Sequence, residues 1–177
     1  MQSRSSNVPG RPIRWACAAA LLGTGAGLAA GACAQAPPDN VHWSVSVTPA
    51  GTPVKAGSDV TVEVNGSIDD GWHVYGLQQL PGGPTPLRLT LDANDTATAA
   101  GNPAESPPQK IHDTRFGLDT QFHTHALTLR LPVHVIPAAA GSRTIPISVR
   151  FQLCSEGECK PPRTIHLAAA VEVAPHA

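Results

Sequence analysis

Two cysteines, Cys154 and Cys159, stand close together in the stretch FQLCSEGECKPP, Phe151 to Pro162, at the end of an apolar strand pattern and just ahead of a double proline. Thiol–disulfide exchange needs a reachable sulfur, a second cysteine near enough to resolve the mixed disulfide, and a leaving thiol that a partner can attack in line. The spacing meets the second condition. Bridged cysteines have Cα atoms no more than about 7 Å apart, and a turn containing Gly157 brings residues so spaced within that reach. The same spacing serves a purely structural end equally well: closing so short a loop stabilises by roughly 2 kcal/mol, against roughly 3 kcal/mol for a 15-residue loop. From these residues alone a redox pair and a hairpin staple stand level. Glu156 and Glu158 disfavour a thiolate, only the adjacent Lys160 opposes them, and no helix N-terminus is expected to lower a cysteine pKa. That balance describes a weakly activated pair, suited to a relay whose partner supplies the reactive thiolate. Cys159, beside Lys160 and the prolines, is the expected first point of attack.

The elements that must position the pair read as strands. Val41, Trp43, Val45 and Val47 alternate with polar residues, and Val60, Val62 and Val64 repeat the pattern before an Asn65-Gly66 turn signal. A short aromatic strand in DDGWHVY follows, then the loop LPGGPTP, then Leu87, Leu89 and Leu91. From Ala93 to Gln109 there is little to bury, and a long loop across the edge of the fold is expected. Leu127 to Val135, Ile145 to Leu153 and Ile165 to Val173 alternate again, and no stretch after the N-terminus holds a helical period. Six or more such strands with Gly- and Pro-rich turns indicate an all-β antiparallel sandwich. In the strand from Ile145 the apolar residues are odd-numbered, so a regular continuation puts Cys154 on the polar face and within reach of solvent.

The N-terminus indicates where the domain works. Arg4, Arg11 and Arg14 precede an apolar run from Trp15 to Ala32 that ends in Ala32-Cys33-Ala34, a small-x-small site of the kind signal peptidase cuts. Residues 1–34 are therefore expected to be a signal peptide, and residues 35–177 a single domain. Two rival readings are a lipid attachment at Cys33 and an uncleaved anchor. Cys17 goes with the signal, so Cys154 and Cys159 are the pair left in an oxidising compartment, where a disulfide is expected to form. A formal net charge of −1 with scattered Lys and Arg excludes nucleic acid and anionic membrane as natural partners. No cofactor, metal or small-molecule substrate is indicated; His123 and His125 read as exposed strand histidines. Trp43 and Phe151 fit core positions by parity.

FQLCSEGECKPP, together with DDGWHVY, the GGPT loop and the segment HDTRFG, resembles the N-terminal domain of the thiol:disulfide interchange protein DsbD, over approximately Val41 to Val173. The resemblance implies an immunoglobulin-like periplasmic β-sandwich, part of a protein-disulfide reductase system. Its cysteines, Cys154 and Cys159 here, would accept electrons and pass them to thioredoxin-fold proteins. It also implies a cap loop, matched by Asp113-Thr114-Arg115-Phe116-Gly117, with Phe116 as the shielding aromatic, and site-lining aromatics at Trp72 and Tyr75. Arg115 departs from the pattern by standing where the best-known member carries a second aromatic. These 177 residues hold neither a membrane electron-carrying domain nor a thioredoxin-like one, so the expected membrane donor acts in trans. The competing reading is a β-sandwich binding or assembly module whose disulfide only secures a hairpin; a thiol-mediated metal carrier is a third.

Overall fold

Alternating apolar and polar residues become strands with one dry face and one wet face. A computed structural model describes residues 39–51 and 53–175, so the expected signal peptide, with Cys17 and Cys33, lies outside the described residues. Among those residues there are strands and no helix. In chain order they are β1 (Val41–Thr48), β2 (Val54–Lys55), β3 (Asp59–Ile68), β4 (Trp72–Tyr75), β5 (Arg88–Leu91), β6 (Ala97–Ala99) and β7 (Ala104–Glu105). There follow β8 (Gln109–Asp113), β9 (Leu118–His123), β10 (Ala126–Val135), β11 (Gly141–Phe151), β12 (Leu153–Ser155) and β13 (Arg163–Ala174).

The architecture is an immunoglobulin-like antiparallel β-sandwich. One sheet runs β1-β3-β10-β6, with β7 also on β10; the second runs β2-β13-β11-β5; a smaller third runs β12-β4-β9-β8. Every pairing is antiparallel except β2 with β13. The core lies where the inner faces of the first two sheets meet: Val62, Val64, Leu129 and Val133 from one, and Ile145, Ile147, Val149 and Phe151 from the other, are removed from water. At about 25 cal/mol per Å² of apolar surface, this burial is the main force holding the fold. Trp43 joins the sheets, its ring centroid 5.1 Å from that of Phe151.

Three expectations are corrected. Asn65-Gly66 is not a turn but lies inside β3, where Asn65 pairs with Ser44 and Thr128. The glycine lies close under the Trp43 ring, where a Cβ would stand 3.0 Å from the ring and press it outward by a few tenths of an ångström. The stretch from Ala93 to Gln109 is not one long loop, for it contains β6 and β7, both on β10. The third correction concerns Cys154. Parity holds through Phe151, but β11 ends there, and β12 belongs to the third sheet, paired with β4. Gln152 fills the break, its side-chain oxygen accepting from the Thr85 amide at 2.8 Å. Leu153 and Cys154 are consequently both buried, at 2% and 0% exposure, which a regular strand with one wet face could not give.

Candidate functional site

The cysteine loop is a tight hairpin. Cys154 and Cys159 are disulfide-bonded with Cα atoms 4.0 Å apart, and Cys159, outside the named strands, bridges back antiparallel to Cys154 on β12. The Ser155 amide donates to the Glu158 carbonyl at 2.8 Å, and the Glu158 amide to Ser155 Oγ at 3.2 Å. Beyond the disulfide the Lys160 amide donates to the Leu153 carbonyl, which fixes the exit into the prolines. The two sulfur-bearing residues differ in access: Cys154 is sealed while Cys159 is only half-buried. Lys160 is held at Asn40 and lies 4.5 Å over the Trp72 ring.

Register decides which side chains meet the pair. Cys154 stands opposite His73 on β4, so their side chains share a face, and Tyr75, two residues on, shares it too. Trp72 and Val74 point the other way. Trp72 leans on the core, so the structure puts Tyr75 on the cysteine face of β4 and Trp72 on the other. His73 packs edge-on against Tyr75, centroids 5.0 Å apart, and lies 5.2 Å from the Phe122 ring on β9.

Opposite this face is the turn that joins β8 to β9. Asp113 organises it: one carboxylate oxygen accepts the Tyr75 hydroxyl at 2.8 Å, the other accepts the Arg115 amide at 2.9 Å, and its carbonyl accepts the Phe116 and Gly117 amides. Gly117 closes the turn at φ +65°, a conformation that favours glycine. Phe116 is half-buried, edge-on to Tyr75 at 6.0 Å. Arg115 reaches from the turn to the cysteine loop, donating from Nη2 to the Glu156 carbonyl at 3.0 Å. The turn, the β4 face and the cysteine loop enclose a cleft of about 610 Å³ lined by His73, Tyr75, Asp113, Arg115, Phe122 and Ser155, among others.

Burial lowers the His73 pKa below its ordinary value; Asp113 opposes this and Arg115 adds to it. Burial, reinforced by the hydrogen bond to Asp113, pushes the Tyr75 phenol well above its usual range. Both groups are thus biased to their neutral forms at pH 7.

Sequence reasoning left His73 and Glu105 unassigned. His73 could have been found from its place two residues before Tyr75 once the β4–β12 register is fixed. Glu105, on β7, accepts both from the Leu77 amide, at 3.0 and 3.1 Å, and stands 2.9 Å from His123 Nε2. His123 is therefore not an exposed strand histidine: it is 3% exposed and held by a carboxylate. His125 is exposed, at φ 63°.

The family model described as thiol:disulfide interchange protein DsbD, N-terminal, matches residues 44–170. No curated protein matches the chain. Among solved structures, the DsbD N-terminal domain of Neisseria meningitidis in its reduced form is 23% identical, covering 64% of this chain and 78% of that one, with a TM-score of 0.44. The complex between the DsbD and PilB N-terminal domains of the same organism gives 20% identity, 71% and 80% coverage and a TM-score of 0.45. The N-terminal periplasmic domain of ScsB from Proteus mirabilis gives 12%, 76%, 47% and 0.42 in the same order.

Proposed function

The chain belongs to the family of DsbD N-terminal domains, and from that premise we propose that Cys154 and Cys159 are a working redox couple which passes electrons to or from thioredoxin-fold partners in the periplasm. The disulfide between a sealed Cys154 and a half-exposed Cys159 is the observation that carries this reading. A partner thiolate attacks Cys159, and a mixed disulfide forms as the Cys154 sulfur leaves and takes up a proton. A second partner thiolate then attacks the partner's own sulfur. The partner's disulfide forms, and Cys159 leaves as a thiolate that is protonated. Two electrons enter this domain, and the reverse sequence delivers them to an oxidised acceptor.

In this reading the turn from Asp113 to Gly117 is the cap. Phe116 supplies its apolar surface, and Asp113 and Gly117 fix its shape. Tyr75 ties it to β4, and Trp72 with Lys160 braces the exit of the cysteine loop. Residues 1–34 deliver residues 35–177 to the periplasm, where a membrane electron donor supplies the pair. Titration of the pair against a glutathione or dithiothreitol buffer tests the reading. A potential above about −300 mV is expected, and a lower value, typical of structural disulfides, would sink it.

A further inference from the structure

Arg115 is exposed at the tip of the β8–β9 turn, yet its guanidinium lies along the cysteine loop. Nη2 donates to the Glu156 carbonyl at 3.0 Å and approaches the Ser155 carbonyl at 3.5 Å. Both acceptors sit inside the ring that the Cys154–Cys159 disulfide closes. The rest of the turn is fastened backwards, through Asp113, to Tyr75. Arg115 is thus the side chain that reaches forward, from the turn to the loop.

Its acceptors are neutral. A guanidinium carries five N–H donors in a planar fork that fits a carboxylate with two parallel bonds and opposite charge, which a single carbonyl cannot match. Among the described residues the arginine–carboxylate ion pairs belong to Arg130 and Arg163. The nearby Asp113 oxygens are taken by the Tyr75 hydroxyl and the Arg115 amide. Arg115 is therefore held by contacts that an incoming carboxylate would outcompete.

We propose that Arg115 is the latch holding the β8–β9 turn against the cysteine loop, and that a partner carboxylate carried beside the partner's redox cysteine releases it. Arg115 is then a positioning and specificity residue: the domain favours partners with an acidic group at the attacking thiol. This deepens the exchange reading above and rests on it for the class of partner.

The test uses the whole oxidised protein and small thiols. Arg115→Ala is expected to speed reduction of the disulfide by uncharged dithiothreitol several-fold, followed by quenched alkylation, with Tm unmoved. Mercaptoacetate is then compared with mercaptoethanol at equal thiolate concentration and ionic strength. The wild-type protein is expected to favour the carboxylate-bearing thiol. Arg115→Gln is expected to abolish that preference, and Arg115→Lys to keep part of it, since an ammonium supplies the charge without the fork. Equal dithiothreitol rates for wild type and Arg115→Ala, or a thiol preference unaltered by Arg115→Gln, overturns the proposal. A potential too low for exchange, found together with faster opening of Arg115→Ala, would remove the exchange reading and leave the latch standing.

Discussion

The Tyr75 hydroxyl donates to Asp113 across 38 positions of sequence, at 2.8 Å, and joins the β4 face that meets Cys154 to the turn that faces the cysteine loop. Tyr75 is the one tyrosine in the chain, so its titration can be read in isolation. Burial first, and then the Asp113 carboxylate, raise its pKa. Phenolate absorbance should stay absent as pH passes about 10, the ordinary value, and appear only further into alkali or on unfolding. Because the folded pKa lies above the unfolded one, this contribution is complete below about pH 10 and is lost as pH rises beyond it. Tyr75→Phe should cost roughly 1 kcal/mol in urea unfolding and hasten dithiothreitol reduction by loosening the turn.

His73 predicts the opposite pH limb. Its pKa is lowered by burial, so the unfolded chain takes up the proton first as pH falls below the ordinary value of 6.5. Asp113 and Arg115 face it with opposed effects, and Tyr75 and Phe122 pack against its ring. Between about pH 7.5 and 5.5 the urea midpoint of the wild type should therefore fall further than that of His73→Gln. Parallel midpoints would remove His73 from the acid limb.

The cysteines should differ in reactivity once separated. In Cys154→Ser the remaining Cys159, half-buried, should react with iodoacetamide on the order of tenfold faster than the sealed Cys154 does in Cys159→Ser. Each variant also loses the bridge, which should cost about 2 kcal/mol by urea unfolding. Equal alkylation rates would contradict Cys159 as the point of attack.

Glu105 ties β7 of the first sheet to His123 of the third and to the Leu77 amide. Its carboxylate and the His123 ring are nearly dry, at 9% and 3% exposure. Removing this acceptor leaves the Leu77 amide and the His123 ring without their partner, so Glu105→Ala should lose about 2 kcal/mol. The Leu77 amide should then exchange its hydrogen faster. Glu105→Gln, which keeps an acceptor for Leu77, should lose less.

What could be read from the chain tracks what is periodic. The odd-numbered apolar residues from Ile145 to Phe151 announced a strand with one dry face, and all of them are buried there. The cysteine pair stood out through residue type and spacing, whereas the segment from Asp113 to Gly117 was singled out by the family resemblance alone. Strand β6 went unseen because Ala and Thr at an edge carry no hydrophobic period, and Asn65-Gly66 misled because the glycine lies under the Trp43 ring within a strand and not in a turn. The seal over Cys154 depends on a change of sheet at one residue, Gln152, and the burial of His123 depends on a partner 18 positions away. Neither signal exists in a local window.

The break at Gln152 also separates two jobs. The long strand β11 ends at Phe151, and the small sheet adds Leu153 and Val74 to the core, while the disulfide ring hangs from that sheet and ends at Gly157, which is exposed with open space around it. Extra residues at that tip would extend into solvent without shifting a single buried valine or isoleucine. Loop length and sequence between the cysteines can therefore be varied by engineering at little cost to folding.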